Sequence, residues 1–179
     1  MKRAAVLAPG YGGTAQQPIL RALVARLAAY DIAATPITFS TRGRRPSREY
    51  AQELAELRAA RDALAADKVA LVGRSFGGRM CVFLAALEPP DALVVLGHPI
   101  APPGRPRPRD EAALLSLRCP TLVVQGERDE LGPLAVLQRI ALVNPLIDVA
   151  VLGGAGHEFG AREGEAVEQA ARWLDSTLR

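Results

Sequence analysis

Three short stretches of this chain carry side chains whose types and spacing could do nucleophilic chemistry. The first is Gly73-Arg74-Ser75-Phe76-Gly77-Gly78, preceded by the apolar run Val69 to Val72 and followed by an Ala/Leu-rich segment. Strand, Gly-x-Ser-x-Gly, helix is the order that lifts a serine hydroxyl off the end of a sheet on a strained turn. Such a bend brings the residues two before and two after the serine together, so Gly73 and Gly77 suit places where a Cβ would collide. The helix that follows aims backbone N–H groups at the point where an oxyanion would form. The second stretch is Gly126-Glu127-Arg128-Asp129 and the third is Gly153-Gly154-Ala155-Gly156-His157.

A serine hydroxyl is a poor nucleophile near neutral pH and needs a base within hydrogen-bond reach, itself oriented by a carboxylate. Ser75, Asp129 and His157 supply nucleophile, acid and base in that chain order. Glu127 and Glu130 flank Asp129 closely enough that either could hold the imidazole instead. The chain has two histidines, and His98 is the rival base, with a role as a wall of the site or a supporting hydrogen bond as its other reading. Oxyanion donors are expected from the Phe76 N–H and from the Tyr11 N–H, with Gly12 as the alternative to Tyr11. A phosphate-cradling reading of Gly10 to Gly13 is weak because no Walker lysine follows.

The elements that must position these groups are legible as alternating patterns. Strands are expected at about 3–8, 33–39, 68–73, 92–97, 120–126 and 147–152. Val69 to Val72, Ala92 to Leu96 and Thr121 to Val124 are continuously apolar, as strands covered on both faces require. Between the strands, Ile19, Leu20, Leu23, Val24 and Leu27 share a helical face, as do Tyr50, Leu54, Leu57 and Leu64, and later Val167, Ala171, Leu174 and Leu178. Further helices are expected at about 76–87 and 133–143. Strand–helix alternation with short connections predicts a parallel sheet with helices on both faces, a three-layer α/β sandwich. One connection departs from this: His98 to Cys119 opens with a proline-rich run that cannot be a regular crossover helix.

In an open parallel sheet, ligands gather at the carboxyl ends of the strands, which is where each candidate group falls. Arginines crowd the same edge: Arg42, Arg44, Arg45 and Arg48 after the second strand, Arg74 beside the serine, and Arg105, Arg107 and Arg109 in the proline loop. These arginines read either as solvated loop residues of a basic chain or as a positive rim that would attract carboxylate- or phosphate-bearing esters or a coenzyme A thioester, with Gly12, Arg74 and His98 as substrate-side residues.

The 179 residues, with a net charge of +3, suit one domain spanning 1–179 without a cap. Hydrophobic residues make up 49% of the chain, yet no apolar run approaches a bilayer-crossing length, so no membrane partner is expected. Aromatic residues at 4% and the lack of a recognition motif argue against nucleic acid. Cys81 and Cys119 read as free buried thiols of a cytoplasmic protein, not as a disulfide or a metal site.

Together, Gly10-Tyr11-Gly12-Gly13, Gly73-Arg74-Ser75-Phe76-Gly77-Gly78, Gly126-Glu127-Arg128-Asp129 and Gly156-His157 resemble an α/β-hydrolase over nearly the whole chain. His98-Pro99 through Gly104, Cys119-Pro120 and Gln125 to Asp129 are similar to the small, capless dienelactone-hydrolase-like family, whose relatives include subunits of chromatin-associated complexes. That resemblance implies a minimal hydrolase core, strand order 2-1-3-4-5-6, and a serine hydrolase acting on small esters or thioesters without metal or organic cofactor. It also implies an alternative, a catalytically silent interaction module that keeps the fold and binds an anionic ligand or a protein partner. The chain departs from the family pattern at Pro9, where many members have histidine, and at Ser75, where dienelactone hydrolases themselves use cysteine.

Overall fold

A computed structural model describes residues 1–179. Six strands alternate with helices: β1 (Arg3–Ala8), α1 (Pro18–Ala28), β2 (Ile32–Pro36), α2 (Ala51–Asp62), β3 (Lys68–Arg74), α3 (Phe76–Leu87), β4 (Ala92–Leu96), α4 (Pro108–Leu115), β5 (Thr121–Gly126), α5 (Leu134–Val143), β6 (Ile147–Leu152) and α6 (Glu163–Thr177). The strands form one sheet in the order β2-β1-β3-β4-β5-β6, every neighbouring pair parallel. This is the expected α/β three-layer architecture and strand order.

The two-residue period of a strand explains why the central runs are apolar throughout. Ala5, Leu7, Val72, Val94 and Val124 face one layer, where they pack with Leu20, Leu23 and Leu27 of α1 and Ala170 and Leu174 of α6. Val6, Leu71, Leu93, Val95 and Val123 face the other, against Leu57 of α2, Met80 and Leu84 of α3, and Leu137 and Ile140 of α5. Each fully buried leucine in these layers contributes about 1.5–3 kcal/mol through apolar surface removed from water. Because both faces are covered, only the strand ends are open to ligand. No helix is long and apolar enough to cross a membrane.

Two element boundaries differ from the sequence expectation. β2 stops at Pro36, not at residue 39; the last pairing is Leu7 with Pro36, after which the Ile37 N–H reaches the Leu7 carbonyl and the chain leaves the sheet. β2 is an edge strand, so the N–H that Pro36 lacks would face away from β1, and the proline costs the sheet no ladder bond. Tyr50 is not part of α2 but precedes it at φ 60°, next to Glu49 at φ 54°. That left-handed turn swings the Tyr50 ring onto Phe83, stacked at 5.6 Å between centroids, and edge-on to Phe76 at 6.1 Å.

Candidate active site

The site grows from the end of β3. Ser75 sits at φ 48°, ψ −110°, a conformation that costs an L-residue about 1–3 kcal/mol and persists only when its surroundings impose it. Its N–H donates to the Leu96 carbonyl at the end of β4 (3.0 Å), and its own carbonyl accepts from the Arg79 N–H (3.0 Å). A Cβ on Gly73 would run into the backbone of Gly77 and Gly78, and one on Gly78 would lie 2.6 Å from Val95 Cγ1. Strand and helix therefore meet at backbone distance, with the serine hydroxyl at the apex.

Loops after β5 and β6 bring the other two groups to it. His157 Nε2 lies 2.8 Å from Ser75 Oγ, and His157 Nδ1 lies 2.8 Å from Asp129 Oδ2. The Asp129 side chain is fully buried and heavily satisfied. Its Oδ1 accepts the Leu131 and Gly132 N–H groups (2.9 and 3.1 Å), and its Oδ2 also accepts Gln125 Nε2 (2.9 Å). Of the three neighbouring acids, Asp129 is the one that faces the imidazole. Glu127 instead accepts the Gly154 N–H at 2.7 Å and braces the loop that carries His157.

Phe76 and Tyr11 also meet here, their rings edge-on at 5.9 Å. A Cβ on Gly77 would overlap the Ala8 and Pro9 carbonyls, so the loop after β1 lies directly against the start of α3. Neither the Tyr11 N–H nor the Phe76 N–H donates to another protein group. Tyr11, Ser75 and Phe76 line a cleft of about 460 Å³ together with Tyr50, Arg79, Pro99, Arg107 and Leu131. Gly12 does not line this cleft. It faces a smaller recess shared with Phe39, Arg42 and Arg44, and its carbonyl accepts Arg42 Nε at 3.1 Å.

The other two expected substrate-side residues, Arg74 and His98, lie outside the cleft as Gly12 does. Arg74 is buried and points away from the cleft: it donates to the carbonyls of Leu96 (3.0 Å) and His157 (2.5 Å) and stacks over Phe159 at 5.1 Å. It clamps the loop that delivers His157. His98 is wholly buried, and neither ring nitrogen has a hydrogen-bond partner. Its backbone does the bonding, with the N–H donating to Gln125 Oε1 (2.8 Å) and the carbonyl accepting from Gln125 Nε2 (3.2 Å).

The His98 imidazole has a further consequence for stability. Burial pushes its pKa down to about 4, with Asp110 and Asp129 opposing and Arg79 and Arg107 adding to the shift. In the unfolded chain the group titrates near about 6.5. Between these values the unfolded state holds more protons, so stability is full above pH 6.5 and is lost as pH falls toward 4. The expected loss at pH 5 is about 2 kcal/mol relative to pH 7.5. Urea denaturation at both pH values should show it in the native chain and show a smaller drop in His98→Phe. Equal drops in the two proteins would refute the assignment.

The sequence marks none of Gln125, Arg79 and Tyr50 as a site residue: Tyr50 reads as part of a helical face and Gln125 as the start of the stretch that ends at Asp129. Gln125 is a polar residue closing the otherwise apolar run of β5, and Arg79 lies one helical turn beyond Ser75 on an apolar helix. A polar side chain forced into a core run is a signal that it has a partner there.

Comparison with known proteins agrees with this architecture. The sequence matches the profile of the Alpha/beta hydrolase domain over residues 1–177. An alpha-beta serine hydrolase homologue from Coxiella burnetii superposes with a TM-score of 0.81 at 22% identity, over 97% of this chain and 86% of that one. Est1E from Butyrivibrio proteoclasticus, solved with ferulic acid bound, gives 0.84 at 14% identity, over 98% and 89%. The Pyrococcus furiosus esterase Pf2001 gives 0.79 at 15% identity, over 99% and 84%. In sequence, 69 residues are 44% identical to part of the polyketide synthase ThaQ of Burkholderia thailandensis, spanning 38% of this chain and 3% of that synthase. The profile match, which takes in nearly every residue, places this chain among the alpha/beta hydrolases.

Proposed function

We propose that this hydrolase transfers an acyl group from a small, accessible ester or thioester to water through an acyl-enzyme. The observation that carries the reading is the pair of 2.8 Å contacts joining Ser75 Oγ to His157 Nε2 and His157 Nδ1 to Asp129 Oδ2. Ser75 Oγ attacks the carbonyl carbon as its proton passes to His157 Nε2. The tetrahedral intermediate carries its negative oxygen toward the Phe76 and Tyr11 N–H groups. Collapse breaks the ester C–O or thioester C–S bond, and the proton on His157 goes to the leaving group. Water then attacks the acyl-serine by the same route and frees the acid. Asp129 holds the imidazole with Nδ1–H toward itself, leaving Nε2 as the acceptor.

Residues 1–179 serve in this reading as one catalytic domain, with specificity set by the loops around the cleft. A serine at position 75 argues against dienelactone hydrolysis itself, which relies on a thiolate. Covalent labelling with a fluorophosphonate tests the proposal. The native chain should label at Ser75, and Ser75→Ala and His157→Ala should not. A folded native chain that does not label would refute the hydrolytic reading and favour a binding role for the same surface.

A further inference from the structure

The cleft over Ser75 is lopsided in charge. Arg79, Arg105 and Arg107 line it, and no aspartate or glutamate does. Arg79 is balanced internally: its Nε and Nη2 reach the two oxygens of buried Asp110 (2.5 and 3.1 Å), and Nη2 also donates to the Tyr50 hydroxyl (3.1 Å). The other two arginines have no ion-pair partner. Arg107 is half-buried and makes one hydrogen bond, from Nη1 to the Pro99 carbonyl at 2.7 Å. The Arg105 guanidinium is exposed and makes neither a hydrogen bond nor an ion pair.

The loop that carries them is built to hold still. Pro102-Pro103-Gly104-Arg105 closes with the Arg105 N–H on the Pro102 carbonyl (2.9 Å), with proline at the second position and Gly104 at φ 69° at the third. Those residues suit a type II turn. Pro99, Pro106 and Pro108 restrict the backbone on either side. Guanidinium groups on a pre-set loop lose little freedom when they take a ligand, so more of each contact is realised as binding. Burial, then the Arg79 and Arg105 charges, push the Arg107 pKa down against the opposing pull of Asp110 and Tyr50, a cost that an incoming anion would offset.

We propose that this cleft selects esters or thioesters bearing a second, anionic group, a carboxylate or a phosphate, which Arg105 and Arg107 hold while Ser75 attacks the scissile carbonyl. The inference rests on Ser75 being the nucleophile, since it makes the anion and the reacting carbonyl parts of one molecule. A guanidinium offers two parallel N–H groups to a carboxylate or phosphate, which fixes orientation as well as charge.

The test compares 4-nitrophenyl hydrogen glutarate with 4-nitrophenyl valerate, esters of equal chain length that differ in a terminal carboxylate against a methyl. The native chain should favour the glutarate ester in kcat/KM by about ten-fold or more, the scale of a charge-assisted contact. In Arg105→Ala/Arg107→Ala the ratio should collapse toward one. Raising salt from about 0.05 M to about 0.5 M should shrink it in the native chain, as screening requires. Arg105→Ala alone, at an exposed position whose side chain makes no hydrogen bond or ion pair, serves as the reporter if replacing Arg107 disturbs folding.

Calorimetry separates this inference from the reading it rests on. Glutarate and inorganic phosphate should each bind Ser75→Ala protein and bind markedly more weakly when both arginines are also replaced. Tighter binding of phosphate points to a phosphate-bearing substrate, and tighter binding of glutarate to a carboxylate. If neither ester turns over but both anions bind through the arginines, the hydrolytic reading fails and the anion site stands. Equal turnover of the two esters in the native chain, or a preference untouched by the arginine replacements, overturns the anion site alone.

Discussion

Asp129→Asn is expected to lower kcat toward an activated ester by about 10⁴-fold while leaving a folded protein, because an amide cannot satisfy all the donors that meet at this carboxylate. Four N–H groups converge on it: Leu131 and Gly132 on Oδ1, and Gln125 and His157 on Oδ2. If the asparagine keeps its oxygen toward the two backbone amides, its NH₂ faces Gln125 Nε2 and His157 Nδ1. The imidazole can then accept at Nδ1 only by carrying its proton on Nε2, where it faces Ser75 and cannot take the serine proton. If the amide flips, its NH₂ meets the Leu131 and Gly132 donors instead. Gln125 cannot adapt, because its Oε1 is already taken by the His98 N–H at 2.8 Å. At least one buried donor is left without a partner in either arrangement, one N–H of the new amide in the first and the Leu131 and Gly132 N–H groups in the second, a cost of about 1–3 kcal/mol or more that thermal denaturation would report. Stopped-flow or steady-state assays with 4-nitrophenyl acetate give the rate. A loss of less than about ten-fold would mean that Asp129 does not set the tautomer of His157.

How much of this was visible in the sequence depends on how local the constraint is. The bend at Ser75 was legible because its glycines are demanded by backbone atoms a few residues away, so spacing alone encodes it. The sheet was legible because strands covered on both faces are apolar at every position. The choice of Asp129 over Glu127 and Glu130 rests in the sequence on chain order alone. In the structure it depends on the turn after β5, where the Asp129 N–H returns to the Gly126 carbonyl at 3.2 Å and folds that one side chain inward. Arg74 was misplaced although the pattern held the answer. It stands two residues after Val72 on β3, so it shares the face turned toward α1 and α6 and not the ligand edge. His98 depended on a side-chain contact across two strands, through Gln125, which no one-dimensional pattern reports. Tyr50 entered the helical face by period but left it through a left-handed turn at Glu49 and Tyr50, neither of them a residue type that announces such a turn.

Gly77→Ala is the substitution expected to do most damage for the fewest atoms added. The new Cβ would overlap the carbonyl oxygens of Ala8 and Pro9 and lie 2.6 Å from the Ala8 carbonyl carbon. All of these are backbone atoms at the end of a central strand, so no rotamer change relieves the clash. Relief requires the loop after β1 to lift off α3, and that loop carries the Tyr11 N–H. Overpacking of this kind costs about 3 kcal/mol or more. For a chain of this length that corresponds to a fall in melting temperature of about 10 °C. Activity should fall further than stability explains, by about 10²-fold at a temperature where the variant is folded, because a displaced oxyanion donor costs that much. Gly164→Ala is the matched control: it lies in the first turn of α6, has an ordinary φ, and an added Cβ there meets nothing within 4 Å. Alanine there should hold or slightly raise the melting temperature, since it is the better helix former. Differential scanning calorimetry and the ester assay on both variants decide the matter. A Gly77→Ala protein that melts with the native chain and keeps its rate would mean that the close approach of β1 and α3 does not hold the Tyr11 and Phe76 N–H groups in the oxyanion-binding positions proposed for them.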